Sequence, residues 1–427
     1  MSKTFFSLLS IIIIVFIGFS CQVAEPNNDQ SLSITVEDVS CTETWIKISA
    51  KGIDADKQLM LYRNNEFLTA FTMDRTDTLF FDEGLLPSKT YSYKAKLGGF
   101  TAIADVVTMD TTSHDFAWQT FTFGGNGGSS YLKDVAIIDE NNIWAVGEIY
   151  DNGEKYNAVH WNGVKWELRK IMFYIDPDQP LAGKTASSCE SIFILDHNYF
   201  GISSNVQIAR FNSNYEYNLL KMGFQWKDRF TITAMWGVSS EDFYVVGNNG
   251  NIAHYDGSPS GTGWKKIESG TELRFLDIYS NNGKIYCIAA ELFSGINSEL
   301  YEIKNQRAIL DDGTNLGTSS VSVYVLKNKL YVFGYYRLVR TVGKIGWEEV
   351  SEPVNFDGYS KIRGNGYNDI VAAGTFGKID HFNSVSWEKH RITSGTNNSI
   401  DFSSVAIKGN VVCAVGRNGV FIVIGRR

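Results

Sequence analysis

The sequence predicts an all-β protein in which a small two-sheet sandwich precedes a β-propeller of seven blades. Fourteen per cent of the 427 residues are aromatic and only six are prolines, which is typical of ordered β structure. Short alternating apolar runs fill residues 31–110, as expected for a sandwich. Beyond them a hairpin such as FYVVGNNGNIAHYDG (243–257) recurs along the chain, which indicates stacked repeats.

The first residues predict export. Lys3 is the only charged side chain before the apolar run 5–20, which is short for a membrane span of about 20 residues and is typical of a signal peptide. The run ends at Gly18-Phe19-Ser20-Cys21. This sequence resembles the lipobox of bacterial lipoproteins, which implies lipidation of Cys21 and a signal peptide over residues 1–20. An ordinary signal peptide followed by an unrelated cysteine is the alternative.

The lipobox resemblance also carries an expectation about location. Gln22 stands where an aspartate would favour retention in the inner membrane, so the resemblance implies a lipid anchor in the outer membrane, on its periplasmic or cell-surface side. Residues 21–30 have the composition of a flexible tether. The net charge of −8 comes without a long basic run, so we expect no nucleic-acid partner.

Four further cysteines show no metal-binding or CxxC spacing and are interpreted as buried free thiols: Cys41, Cys189, Cys287 and Cys413.

Residues 31–112 contain six or seven short strand-like runs, which fit an immunoglobulin-like sandwich. The stretch GLLPSKTYSYKAKL (84–97) resembles the Leu-x-Pro…Tyr-x-Tyr element of fibronectin type III domains, with Tyr91 and Tyr93 as its tyrosines. The resemblance implies a tyrosine packed at a corner between strands and gives Trp45 the place of the early core tryptophan. We interpret this domain as a spacer.

From Trp118 onward a small residue ends the second strand of each repeat at intervals of 40 to 56 residues, a spacing close to that of a four-stranded propeller blade. A bulky aromatic three residues earlier and a small residue two residues earlier suit wedge-shaped stacked sheets. Glycine at the strand end indicates positive φ or close backbone approach. The strand-ending residues are Gly147, Ser203, Gly247, Ala289, Gly334, Gly374 and Gly416.

The last repeat lacks a fourth strand, and WQTFTF (118–123) supplies a tryptophan-led candidate at the other end of the repeat region. Pairing the two would close a propeller over residues 116–427 and remove exposed sheet edges. Seven blades are predicted, with six or eight as alternatives. The fourth strands of the other repeats open near Trp166, Trp226, Trp264, Trp347 and Trp387.

The sequence pattern of the repeat resembles that of BNR-like and photosystem II assembly factor-like propellers over about 300 residues. The resemblance implies a β-propeller fold and a function in binding proteins or glycans. The Asp box of sialidases is missing from the turns before the outer strands, for example NGVKW (162–166), so a sialidase is not expected. His160, His254 and His381 recur at equivalent third-strand positions and are interpreted as structural. We predict no cofactor, no metal and no catalytic motif.

Candidate ligand-binding residues are chosen only by their predicted position near the propeller axis. The innermost strands place acidic, basic and aromatic side chains near the axis, where they can hold a sugar or peptide or form a salt-bridged channel. The longest connections, which leave the blades on one edge, are 148–157, 172–186, 291–298 and 335–342. The axial candidates are Asp134, Glu190, Trp236, Asp277, Lys361 and Arg363.

The preferred hypothesis is a non-catalytic cell-envelope lipoprotein whose propeller binds a glycan or an envelope protein. The alternative is a polysaccharide hydrolase or lyase that uses axial carboxylates. A purely structural envelope component is the third possibility.

Overall fold

The computed structural model describes residues 30–53, 57–73, 75–123, 130–195, 199–222, 230–257, 263–291, 297–311, 316–317, 319–350, 358–393, 400–417 and 421–427. The predicted signal peptide, Cys21, nearly all of the tether and Trp226 lie outside these ranges. Within them, no helix is long and apolar enough to cross a membrane.

The chain divides into two compact units. The first runs to Thr35 and includes Lys47–Phe80 and Ser92–Asp105. The second comprises Val36–Ile46, Phe81–Tyr91 and Val106–Arg427.

Seven strands in the first part of the chain form one sheet of three strands, in the order β1-β2-β5, and one of four, in the order β4-β3-β6-β7. Side chains alternate between buried and half-buried along β6, as expected for a strand with one face in a core. The strands are β1 (Ser31–Val39), β2 (Glu43–Lys51), β3 (Gln58–Arg63), β4 (Glu66–Thr72), β5 (Asp77–Glu83), β6 (Thr90–Leu97) and β7 (Phe100–Val107).

Within its described residues, the rest of the chain forms seven four-stranded antiparallel sheets. After β8 (Ala117–Thr122), the first sheet comprises β9 (Tyr131–Asp139), β10 (Asn142–Asp151), β11 (Glu154–Trp161) and β12 (Trp166–Arg169). A small hairpin follows, with β13 (Phe173–Tyr174), a 3-10 turn (Pro180–Ala182) and β14 (Lys184–Thr185). The second sheet comprises β15 (Ser191–Ile194), β16 (Phe200–Ser204), β17 (Gln207–Phe211) and β18 (Tyr217–Lys221).

The third sheet comprises β19 (Ile232–Ser239), β20 (Asp242–Gly247), β21 (Ile252–Tyr255) and β22 (Trp264–Ile267). The fourth comprises β23 (Arg274–Asn281), β24 (Lys284–Ala290), β25 (Glu299–Lys304) and β26 (Arg307–Leu310). The fifth comprises β27 (Ser320–Val325), β28 (Lys329–Gly334), β29 (Arg337–Thr341) and β30 (Glu348–Glu349). The sixth comprises β31 (Tyr359–Gly366), β32 (Asp369–Gly374), β33 (Lys378–Phe382) and β34 (Trp387–Arg391). The seventh comprises β35 (Phe402–Lys408), β36 (Val411–Gly416), β37 (Phe421–Arg426) and β8.

The first strands of these sheets form an inner layer. Each contacts the first strand of the next sheet, and β35 of the last sheet contacts β9 of the first. In the last sheet, β8 pairs antiparallel with β37, so that Trp118 lies opposite Gly425. Apolar clusters fill the spaces between neighbouring sheets, as in the group that joins Ile143 and Val159 to Cys413 and Ile424. This architecture is that of a β-propeller.

The glycines that end the second strands are required by close backbone approach. A Cβ atom on Gly334 would lie 2.0 Å from the Ser319 carbonyl oxygen, and one on Gly147 would lie 2.2 Å from the Tyr131 oxygen. Neither glycine has a positive φ. At this point the inner strand bulges by one residue, as between Ser320 and Ser322, and its backbone is brought against the second strand.

Tryptophans open or immediately precede four of the outer strands, as predicted, at Trp166, Trp264, Trp347 and Trp387. The outer strand of the second sheet is Tyr217–Lys221, so it opens with a tyrosine and lies upstream of Trp226. The four cysteines Cys41, Cys189, Cys287 and Cys413 are buried free thiols, which confirms their interpretation.

Trp45 differs from its expected role in a sandwich core. It is 1% exposed and stacks on Tyr367 with ring centroids 5.5 Å apart, and Phe81 packs on it at 5.2 Å. These three side chains belong to one apolar cluster of the second unit.

The three repeated histidines have the same structural role. In each, Nε2 bonds the side chain of the residue that begins the preceding strand: His160 with Asn142 at 3.0 Å, His254 with Asp242 at 2.7 Å and His381 with Asp369 at 3.0 Å. His160 also stacks on Trp144, with 4.4 Å between ring centroids. Burial lowers the pKa of His160 to about 4, so its ring is neutral at physiological pH.

Candidate functional site

A cavity of about 190 Å³ lies between the inner strands. Four of the six predicted axial residues line it: Asp134, Asp277, Lys361 and Arg363. The described lining residues do not include Glu190 or Trp236. The inner strands therefore bring two carboxylates and two cations into one space.

Asp277 is the most heavily bonded residue of the cavity. Its side chain is 1% exposed and accepts bonds from Lys361 Nζ at 2.8 Å and from two Arg363 nitrogens at 2.7 and 3.0 Å. Ser322 Oγ donates to the same carboxylate at 2.6 Å, and the Val323 N–H donates at 3.1 Å. One carboxylate thus joins the inner strands of the fourth, fifth and sixth sheets.

Asp134 has the same role across the first, second and seventh sheets. Ser191 Oγ donates to it at 3.0 Å and Ser404 Oγ at 2.7 Å, and the Ile192 N–H donates at 3.0 Å. The two aspartates share a pattern in which a serine hydroxyl and the following backbone N–H of the next sheet both bond one carboxylate.

The electrostatics of this cluster favour a structural role. Burial alone would raise the pKa of Asp277, but Arg363 and Lys361 outweigh it and hold that pKa well below its ordinary value. Asp277 therefore stays ionised and is a poor proton donor. Lys361 and Arg363 are matched in number by Asp277 and Asp134, and Lys408, which also lines the cavity, donates to the Ile138 oxygen at 2.7 Å.

Glu190 and Trp236 lie elsewhere on the inner layer. Glu190 forms an ion pair with Lys133, and its backbone N–H donates to the Ser203 oxygen at 2.9 Å. Trp236 is half-buried, packs with the apolar cluster between the third and fourth sheets, and lies 6.3 Å from the ring of Phe193, a residue of the cavity lining. Neither Glu190 nor Trp236 is itself among the described lining residues.

Sequence reasoning missed the serines that complete the two aspartate clusters. Ser191, Ser322 and Ser404 precede Ile or Val on inner strands, as Asp134, Asp277 and Lys361 do. This recurring polar-aliphatic pair is the signal that identifies them.

The second candidate site is the edge of the ring where connections leave strands two and four of each sheet. The segment 172–186 was predicted to be a long connection there, and it forms the hairpin of β13 and β14. Asn157 fixes both ends of this segment, because its side chain bonds the Ile171 N–H and oxygen, each at 2.8 Å, and the Ser187 oxygen at 2.8 Å. Gln207 bonds the Tyr174 N–H at 3.0 Å and its oxygen at 2.9 Å.

This hairpin carries two exposed aliphatic side chains. Leu181, in the 3-10 turn at its tip, is 103% exposed, and Ile175 is 61% exposed. The hairpin is therefore an ordered projection whose tip presents aliphatic side chains beside Asp176, Asp178 and Gln179.

The neighbouring hairpin of the first sheet also extends beyond the inner strand. Ile149 to Asp151 of β10 pair only with β11, and the charges around them are paired. Glu148 bonds Lys155 at 3.2 Å and the Tyr150 hydroxyl at 2.6 Å. The other two predicted connections contribute less: 335–342 is mostly β29, and residues 292–296 lie outside the described ranges.

The fold is similar to that of several solved propellers. The chain is 13% identical to YCF48 bound to a D1 peptide, with a TM-score of 0.54, and the match covers 74% of this chain and 100% of that one. It is 12% identical to YCF48 from Cyanidioschyzon merolae, with a TM-score of 0.50 and coverage of 72% and 98%. It is 11% identical to the WD40 β-propeller domain of Doa1, with a TM-score of 0.52 and coverage of 73% and 98%.

At these identities the likeness establishes the β-propeller fold alone. No family model matches the chain, and no curated protein matches it.

Proposed function

We propose that this chain is a cell-envelope lipoprotein with a seven-bladed propeller. The propeller binds an exposed peptide segment of a protein partner. Lipidation at Cys21 would attach it to the outer membrane. The seven four-stranded sheets and the completion of the last one by β8 support the blade number. Anchoring is tested by Cys21→Ala, which should move the full chain from the membrane to the soluble fraction; unchanged partitioning excludes the anchor.

Residues 31–112 are proposed to be a fibronectin type III-like spacer. One three-stranded sheet and one four-stranded sheet, in which β3 pairs antiparallel with β4 and β6, support this assignment. So does the Tyr91 hydroxyl, which accepts a bond from the Leu86 N–H at 2.8 Å, five residues upstream, as in a tyrosine corner.

The observation that carries the binding function is the hairpin 172–186. Asn157 and Gln207 fix its backbone, so little conformational entropy is lost when its tip meets a partner. Leu181 and Ile175 present aliphatic surface that suits an apolar side chain of a protein. One of the similar propellers, YCF48, has been solved with a bound peptide.

A glycan is less suited to the tip. Carbohydrate sites rely on aromatic surfaces and on polar groups that are available for hydrogen bonds. At the tip, Gln179 bonds Asp176 at 3.0 Å and Asp178 pairs with Lys221 at 3.7 Å, so these polar groups already have partners. The nearby charges are already paired, as in Lys133–Glu190 and Lys155–Glu148. The hydrolase alternative would need axial carboxylates that can exchange a proton, and Asp277 is held ionised by two cations.

The test is a selection from a phage-displayed random dodecapeptide library on the full chain in detergent. Selected peptides should bind the wild type and bind Leu181→Ser at least tenfold more weakly, because truncation of a hot-spot anchor typically costs about 2 kcal/mol or more and tenfold is about 1.4 kcal/mol. Val164→Ser is the matched control, since Val164 is 83% exposed on the opposite edge of the first sheet. Equal losses in both variants, or no selected peptide, would contradict the proposal. A hit on a polysaccharide array without peptide binding would replace it with glycan capture.

A further inference from the structure

The segment 110–116, which leads directly into β8, is fixed to the turns of the sixth sheet. Asn368 Nδ2 donates to the Asp110 oxygen at 2.7 Å, and Thr112 Oγ1 donates to the Asn368 oxygen. Asn383 Nδ2 donates to the Thr112 oxygen at 3.4 Å. Because β8 completes the seventh sheet by pairing with β37, the contacts of this segment bear on how firmly that sheet is completed.

Two histidine rings meet where the segment reaches the sheet. His114 Nδ1 and His381 Nδ1 are 2.7 Å apart, and the two rings are nearly perpendicular. His381 is fully buried and its Nε2 lies 3.0 Å from Asp369 Oδ1, while His114 Nε2 lies 3.2 Å from Ser386 Oγ. At 2.7 Å the two Nδ1 atoms share a hydrogen bond, so one of them carries a proton and the other offers a lone pair.

Asp369 determines which nitrogen carries the proton. Burial alone would raise the pKa of Asp369, but hydrogen bonds from His381, Arg427 and Asn365 outweigh it and hold that pKa below its ordinary value. The ionised carboxylate can only accept hydrogen bonds, so His381 Nε2 carries a proton. The Nδ1 of a neutral His381 is then the acceptor, and His114 Nδ1 is the donor.

The third sheet has the same arrangement with a partner that does not titrate. His254 Nε2 lies 2.7 Å from Asp242 Oδ1, and Gln306 Nε2 lies 3.2 Å from His254 Nδ1. An amide can turn either its nitrogen or its oxygen towards the ring, so it suits a neutral or a protonated histidine. Two histidines lack this freedom, because two protonated rings would point N–H groups at each other across 2.7 Å.

We propose that His114 and His381 form a pH-sensitive latch, in which protonation of both rings in acid separates them and frees the segment that leads into β8 from the sixth sheet. The latch lies on the turns that follow strands one and three of the sheet, and it does not depend on the proposed peptide binding. Its consequence is a seventh sheet whose outer strand is held less firmly in acid than at neutral pH.

The surroundings of the pair give the direction of the pH effect. Burial lowers the pKa of His114, and the neighbouring His381 lowers it further. A histidine whose pKa is lowered by docking holds the docked state fully above its ordinary value of about 6.5, and that contribution is lost as the pH falls below this value. The described charged and titratable groups that face the pair are Asp115 on the segment, Asp369, Glu388 and His390 on the sixth sheet, and Arg427 after β37.

Amide hydrogen exchange of the full chain in detergent at pH 7.5 and 5.5, corrected for intrinsic rates, tests the latch. In the wild type, protection of residues 114–122 should fall about tenfold or more at pH 5.5, because a released histidine is about nine-tenths protonated there while most carboxylates remain ionised. Protection of β22 in the third sheet, where the partner of His254 is an amide, should not change.

His114→Asn places an amide close to the position of Nδ1, so the segment should stay bound and lose less than twofold of its protection at pH 5.5. His114→Gln, whose longer amide can also donate or accept, repeats the comparison. His390→Phe is the matched control, because the His390 ring packs on Trp118 of β8 with 5.2 Å between centroids. This control should respond to acid as the wild type does.

Unchanged protection of residues 114–122 in the wild type at pH 5.5 would overturn the latch. So would a tenfold loss that persists in both His114→Asn and His114→Gln. A loss that is abolished by His390→Phe instead would assign the titration to His390, and an equal loss in β22 would show a general effect of acid; either result contradicts the proposal.

Discussion

Asp277 shows how one buried carboxylate holds several sheets together. It takes charged bonds from Lys361 and Arg363 and neutral bonds from Ser322 and the Val323 N–H, so that three inner strands meet at one side chain. Burying a charge is costly unless its partners are well placed, and removing one partner leaves the others unpaired. The axial residues are therefore better explained as a structural network than as a ligand site.

The substitution Asp277→Asn tests this interpretation. It would leave Arg363 and Lys361 buried beside a neutral amide, so we expect a loss of about 3–5 kcal/mol in the free energy of unfolding. Urea denaturation measures it. Glu272→Gln is the control, because Glu272 is an exposed carboxylate and should change stability by about 0.5 kcal/mol or less. An Asp277→Asn variant as stable as this control would show that the network does not hold the ring.

At the scale of the elements, five of the described propeller sheets pair a bulged inner strand with a second strand that ends in a glycine without room for a side chain. The Cβ positions of Gly247, Gly334 and Gly374 would each meet a backbone oxygen within 2.1 Å. Backbone atoms of packed strands cannot move away cheaply, unlike the end of a flexible side chain. Glycine therefore recurs at this position in the sequence because a larger residue would clash with the backbone.

Gly334→Ala should therefore destabilise the protein by about 1–3 kcal/mol, the typical cost of overpacking. The matched control is Gly366→Ala in β31, where φ is not positive and the only atom near a new Cβ is the Asn368 Oδ1 at 3.7 Å. Thermal unfolding of both variants gives the comparison. Equal midpoints would mean that the close approach at Gly334 is not what selects glycine.

These elements also show what the sequence could predict. Strand order and the tryptophans at the outer strands were predictable, because they follow a repeat that can be read along the chain. The serines beside Asp134 and Asp277 carry a sequence signal, the polar-aliphatic pair, but their partners were not predictable, because each serine meets an aspartate on the inner strand of another sheet. The hairpin 172–186 was located as a connection but not as an ordered element, since the residues that fix it, Asn157 and Gln207, belong to the strands of two other sheets.

On the scale of the whole molecule, we propose that the ring separates stability from recognition. The inner strands and their aspartates join neighbouring sheets, and the connections on one edge present side chains that this network does not use. Leu181 is fully exposed on a fixed hairpin, so it lowers solubility without contributing to packing, and the proposal assigns it to binding.

Amide hydrogen exchange of the full chain, with and without a peptide selected from the library, tests the central claim most directly. We expect the peptide to slow exchange in residues 172–186. Amides of the inner strands β23, β27 and β31, which line or adjoin the axial cavity, should exchange at unchanged rates. Protection confined to the inner strands, with none in 172–186, would contradict the account and place the ligand at Asp277, Lys361 and Arg363 instead.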